Sequence, residues 1–217
     1  MARIEADLED LNARARLRDA AMRLFGEQGF EKATIRDIAE AAGVSSGLVR
    51  HHYGSKLALR EACDEYLVKE IRRLAEETDV HVAPAEVNPV GAGLARLGPY
   101  QRYLARALAE GWATEVFDEM TRLCERWLEE ADRARTDPPF ADRKARATLA
   151  TAMALTVPVL YQHISRGLGV DLATPEGAHL LAVTLLDIYS HPLLSPETAA
   201  TMRDALDKLR ARTTQSQ

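Results

Sequence analysis

The chain has 217 residues with a formal net charge of −5, and 47% of it is hydrophobic against 28% charged. That length buries a sizeable core, as one large domain or two small ones. Cys63 and Cys124 lie far apart without partner spacing, which argues against a disulfide framework or a zinc site, and no apolar run reaches the ~20 residues that a membrane-spanning helix needs.

The opening segment, MARIEADLEDLNARAR, is charged and lacks the apolar stretch of a secretory leader, so a cytoplasmic protein is expected. In the first helix Leu17, Ala21, Leu24 and Phe25 form an inward face, and Gly29 closes it before Phe30. Thr34 and Asp37 then have the spacing of a capping box, and Ile35, Ile38, Ala39 and Ala42 follow at i, i+3, i+4 and i+7. Gly43 stops this second helix in the left-handed conformation. Ser45 is placed to cap the next helix, with Val44 and Val49 spaced as a hydrophobic staple.

That third helix, about Ser46 to Tyr53, turns Ser46, Gly47, Leu48, Arg50, His51 and His52 outward. Small residues at its start allow close approach to base edges, and Arg50, the histidines and Lys56 reach base acceptors or phosphates. A solvated helical hairpin is the bland alternative. Charge favours the DNA reading: residues 14–60 hold nine Lys or Arg against five Asp or Glu, whereas residues 61–217 hold eighteen against twenty-four. Within a Debye length of about 8 Å only the local charge matters much, so an acidic body tolerates a basic reading head.

The run from Arg14 to Leu59, with LFGEQGF, TIRDIA, AGVS-x-G and HHYGSK in order, resembles the DNA-binding domain of the tetracycline-repressor (TetR) family of bacterial regulators. The resemblance implies an all-α fold: a three-helix helix-turn-helix domain over residues 1–58, joined by a long helix to an effector-binding and dimerisation domain over residues 59–217. It implies that Thr34 and Arg36 touch phosphate and the groove edge. Ser45, Ser46, Gly47 and Leu48 would sit at the major groove, His51 and His52 near phosphate or bases, and Lys56 on the backbone. Val49 and Tyr53 match inward-packing positions. Arg50 stands where the family commonly has an aromatic residue, which bears on the target sequence.

Beyond the head, a helix from Lys56 to about Thr78 is long enough to act as a lever. Val80 to Gly93 reads as a loop with at most a short helical turn. Helices are expected near Pro99–Gly111, Thr114–Arg135, Ala141–Arg166, Pro175–Ser190 and Pro196–Ala211, with Thr174 and Ser195 as caps. The segments around Met153 and Leu185 are apolar on several faces, which fits burial within one subunit or against a second. The family resemblance implies the second: a homodimer whose paired heads address a palindromic operator in double-stranded DNA.

Pro158 is expected to kink its helix, either to wrap the core or to open space for a ligand. Phe117, Met120, Cys124 and Trp127 fall at i, i+3, i+7 and i+10, and a stripe of this kind is core or cavity lining. The resemblance implies a small-molecule effector, for which those four, with Tyr100, Tyr103, Leu104, Trp112, Met153, Val157, Leu160 and Tyr161, are the candidate contacts, and their aromatic, sulfur-rich character suits a small apolar or aromatic compound. An alternative is a DNA-binding regulator without an effector, its body serving dimerisation or a protein partner. No phosphate loop, HExxH or GxSxG is present, and Asp187 with His191 reads as a helix-end ion pair, so no enzyme, cofactor or metal site is expected.

Overall fold

Side chains of Thr34, Ser55, Asn88, Asp142 and Thr174 cap helices in this chain, and the computed structural model, which describes residues 2–78, 88–191 and 193–215, shows no strand among them. In order they are α1 (Ala2–Gln28), α2 (Ile35–Ala42), α3 (Ser46–Tyr53), α4 (Lys56–Glu77) and α5 (Pro89–Leu97). After a 3-10 turn at Gly98–Tyr100 come α6 (Gln101–Ala109), α7 (Thr114–Arg133), α8 (Arg143–Val159), α9 (Tyr161–Leu168), α10 (Pro175–Ser190) and α11 (Pro196–Gln215).

The first three helices and the start of α4 close around Leu17, Phe25, Ile38, Val49 and Leu59, all fully buried. This core continues without a break into Leu67, Tyr103, Leu104 and Val116 of the following helices. Continuity depends on a close crossing of α1 and α6. A Cβ built on Gly26 would lie 2.7 Å from the Tyr103 amide nitrogen and 2.9 Å from the Arg102 carbonyl carbon, so only glycine lets the two backbones approach this far. Arg106 Nε donates to the Gly26 carbonyl at 3.1 Å across the same crossing.

At 22 residues α4 spans about 33 Å, and polar links fix its outer half to the body. Arg72 donates to Glu119 of α7 at 2.7 Å, which holds that nearly buried carboxyl below the usual range. Arg96 of α5 pairs with Glu77 at 2.8 Å and lies 3.8 Å from Glu70. Nearer the head, the buried Asp64 accepts from the Tyr103 hydroxyl at 2.6 Å.

Three expectations are corrected. Of the supposed loop Val80–Gly93, residues 80–87 lie outside the described ones. The remainder enters the nine-residue α5, because Asn88 caps Gly91 N at 3.0 Å and Pro89 takes the first turn. The kinked helix expected over Ala141–Arg166 is two helices, α8 and α9, meeting at 76° about Leu160. Pro158 has no N–H to donate one residue before the end of α8, and its carbonyl accepts from Gln101 Nε2 at 3.1 Å. Finally α11 runs four residues beyond Ala211.

Apolar exposure gathers in the second half of the chain. Leu149 and Met153 of α8, Leu186 and Tyr189 of α10, and Met202, Leu206 and Leu209 of α11 are all more than half exposed. Among the described residues no single helix is long and apolar enough to cross a membrane.

Candidate nucleic-acid interface

The turn between α2 and α3 is built from local chemistry. Thr34 Oγ1 accepts from Asp37 N at 3.1 Å while the Asp37 carboxylate accepts from Thr34 N at 3.2 Å, closing the capping box in both directions. Gly43 is left-handed at φ 67°, and Val44 N donates back to the Ala39 carbonyl at 3.0 Å. Ser45 occupies the cap position of α3 but its hydroxyl makes no capping bond, a correction to the expected role; its carbonyl accepts from Leu48 N at 3.0 Å. The hydroxyl is thereby left to the surface.

Two residues seat α3. Val49 is fully buried, and Tyr53 donates its hydroxyl to the Arg14 carbonyl at 2.7 Å, with the Arg14 guanidinium 5.5 Å from its ring centre. With those positions turned inward, Ser45, Ser46, Gly47, Arg50 and His51 are exposed, and Leu48 and His52 are half-buried. Thr34 and Arg36, at the start of α2, are also exposed. Although Thr34 Oγ1 accepts within the cap, a hydroxyl keeps its proton to donate, for example to a phosphate oxygen. The result is one surface with small residues at a helix start and cations beside it, a pattern suited to close approach to base edges and phosphates.

Lys56 has another occupation than the expected one. Its ammonium donates to the carbonyls of Phe30 at 2.8 Å, Ala33 at 3.2 Å and Glu31 at 3.4 Å, and lies 4.4 Å from the Phe30 ring centre. It ties the start of α4 to the loop before α2, so a phosphate would have to displace one of these acceptors.

The twelve effector candidates have several different surroundings. Tyr103 and Leu104 are core residues, and burial pushes the Tyr103 hydroxyl well above its ordinary pKa. Trp112 packs edge to face on Phe30 at 5.3 Å. Phe117 and Met120 pack on the core, and Cys124 sits half-buried on α7 beside Thr151 of α8. Trp127, Met153 and Leu160 are exposed, Val157 is half-buried, and Tyr161 donates to Asp171. Tyr100 lines a cleft of about 410 Å³ with Arg16, Asp19, Arg23 and Ala41, at the joint of α1, α2 and the 3-10 turn. A second cleft of about 250 Å³, between α1 and α4, is lined by Arg14, Arg18, Tyr53, Tyr66 and Lys69. The spacing on α7 was a helical face, but α7 packs on both α4 and α8, so its face divides between two neighbours.

The model of the family described as bacterial regulatory proteins, tetR family, matches residues 17–63, and that of a tetracyclin repressor-like C-terminal domain matches residues 96–195. The HTH-type transcriptional regulatory protein RaaS of Mycobacterium tuberculosis is 35% identical over 190 residues, covering 86% of this chain and 89% of that protein. Among solved structures, a gamma-butyrolactone receptor described as an ArpA-like protein aligns with a TM-score of 0.57 at 25% identity, over 70% of this chain and 81% of that one. The TetR family protein CprB of S. coelicolor A3(2) gives the same TM-score and identity over 73% and 84%.

Proposed function

The chain belongs to the TetR family of DNA-binding transcriptional regulators, which are not enzymes, and on that premise we propose that it is a homodimeric repressor that binds a palindromic operator. Residues 1–58 serve as the reading domain and residues 59–217 as the dimerisation and effector domain. Thr34 and Arg36 hold phosphate, Ser45 to Leu48 enter the major groove, and Arg50, His51 and His52 read or flank the bases. The observation that carries this is the exposed start of α3 on a helix whose other side is anchored by Val49 and Tyr53. Lys56 acts mainly by fixing the start of α4, given its three carbonyl partners.

Dimerisation uses the exposed apolar residues of α8 and α10, Leu149, Met153, Leu186 and Tyr189. Twofold pairing then sets two α3 helices on half-sites about 34–36 Å apart. Release by a small apolar or aromatic effector in the body is supported by the 25% identity to the gamma-butyrolactone receptor. A second reading, a body that serves only dimerisation or a protein partner, is favoured by the packing of Tyr103 and Trp112 into the joint with the head. Thermal melting of the purified protein with a panel of apolar lactones and aromatics separates the two: a saturable rise in Tm that also weakens DNA binding supports the first.

Selection of bound duplexes from a random library tests the reading as a whole. An enriched palindrome, bound by a species of twice the chain mass, is the expected result. An enriched site without twofold symmetry would sink the dimer assignment, and no enrichment at moderate salt would sink the regulator assignment.

A further inference from the structure

Phe30 in the loop after α1, Arg60 on α4 and Trp112 in the turn between α6 and α7 form one stack. The guanidinium carbon of Arg60 lies 4.7 Å from the Phe30 ring centre and 4.9 Å from that of Trp112, and the two rings meet edge to face at 5.3 Å. Arg60 Nε is buried without a hydrogen-bond partner. A buried donor in that condition is unfavourable by itself, and the two π faces, with the charge of Asp64 one turn further along α4, supply the attraction that keeps the cation there. Lys56, one helical turn before Arg60, lies against the same Phe30 ring.

The turn that presents Trp112 is backbone-strained. Gly111 and Ala113 flank it at φ 78° and φ 53°, and Ala113 is the one described residue other than glycine with a positive φ. A left-handed alanine is disfavoured, so the surrounding structure imposes it. Trp112 N is pinned to the Ala107 carbonyl at 2.7 Å, and Ala113 caps α7, whose Glu119 is bonded to Arg72. A shift of the first turn of α7 therefore moves the indole.

We infer that Trp112 and Arg60 are positioning residues for DNA binding: the body sets the angle of the reading head through this cation–aromatic stack. Trp112 belongs to the body, Phe30 to the head, and Arg60 to the lever between them. The α1–α6 crossing at Gly26 is a backbone contact with no room to vary, whereas the stack is made of side chains from three separate elements and is the part able to let go. Carried onto the proposed dimer, on which this inference rests, the stack fixes the separation of the two α3 helices.

The test is duplex selection with the half-site separation randomised, run on the wild type, Trp112→Ala, Trp112→Phe and Arg60→Met, together with affinity for a single half-site. Wild type selects one separation. Trp112→Ala and Arg60→Met keep the half-site sequence and bind a single half-site within about twofold, yet accept several separations and bind the full palindrome at least tenfold more weakly. Trp112→Phe, which keeps a ring, restores the wild-type separation. Wild-type spacing in Trp112→Ala would overturn the inference, as would a loss of half-site binding in proportion, the mark of a merely structural role. Hydrogen exchange reads the stack without DNA: Trp112→Ala should speed exchange at Phe30–Ala33 and the first turn of α4 about tenfold while α8 is unchanged. Unchanged protection there overturns the inference even where selection yields no palindrome, an outcome that counts against the regulator reading instead.

Discussion

Replacing Tyr103 with phenylalanine removes one oxygen from the point where α6 meets the lever. The hydroxyl donates to Asp64 at 2.6 Å, Tyr103 is 1% exposed and Asp64 9% exposed, so no water stands ready to take its place. A hydrogen bond to a charged group contributes about 1.5–3 kcal/mol, and for a chain of this size a loss of about 2 kcal/mol lowers Tm by about 4–8 °C. Burial raises the Asp64 pKa above its ordinary value, while the Tyr103 hydrogen bond pulls it partly back down by favouring the charged form. Deleting the hydroxyl therefore raises it further. The loss in stability is complete where Asp64 is ionised in both proteins, and it shrinks as pH falls from the variant's higher folded pKa through that of the wild type towards the ordinary carboxylate range. Denaturant unfolding of wild type and Tyr103→Phe in a pH series from 8 down into the ordinary carboxylate range, repeated with Asp64→Asn, reads both size and sign. The expected outcome is a larger loss at pH 8 than at the acid end of the series, falling to about 1 kcal/mol in the Asp64→Asn background. Equal losses across the whole series, or an undiminished loss beside Asp64→Asn, would refute a charge-assisted bond.

Gly26→Ala forces α6 away from α1, since the new methyl meets backbone atoms at 2.7 and 2.9 Å. Overpacking of about 1–3 kcal/mol, offset by about 1 kcal/mol of helix propensity, lowers Tm by up to about 8 °C, and a raised Tm would contradict the crossing. Lys56→Ala leaves the Phe30 and Ala33 carbonyls without their donor and should lower stability in the absence of DNA by about 1–2 kcal/mol. Unchanged stability with a shallower salt dependence would instead make Lys56 a phosphate contact. Arg36→Ala removes one phosphate contact per subunit, so the slope of log K against log salt should shrink by about 1.8 for the dimer, with sequence preference unchanged.

The head was legible because its signals are local. The Thr34–Asp37 box, the left-handed Gly43 and the inward spacing of Ile38, Ala39 and Ala42 each lie within one turn of their partners. Lys56 was read as a surface cation because its acceptors are 23 to 26 residues away in sequence, and nothing in HHYGSK points to them. The same separation hid Arg60, whose partner rings stand 30 residues before it and 52 after it. In the body, Pro89 and Asn88 carried a valid helix start that the surrounding prolines and glycines obscured. The α7 stripe was a true helical face, but spacing along one helix does not tell which neighbour covers it: Trp127 on that stripe is 61% exposed.

The central claim is that the exposed start of α3 reads bases, and a base-by-base specificity profile of Arg50→Ala against wild type on the selected operator tests it most directly. The account predicts that preference is lost at one or two symmetry-related positions, with discrimination falling by about 1–3 kcal/mol there and the rest of the site unchanged. A profile identical to wild type, with affinity lowered evenly across all sequences, would contradict it.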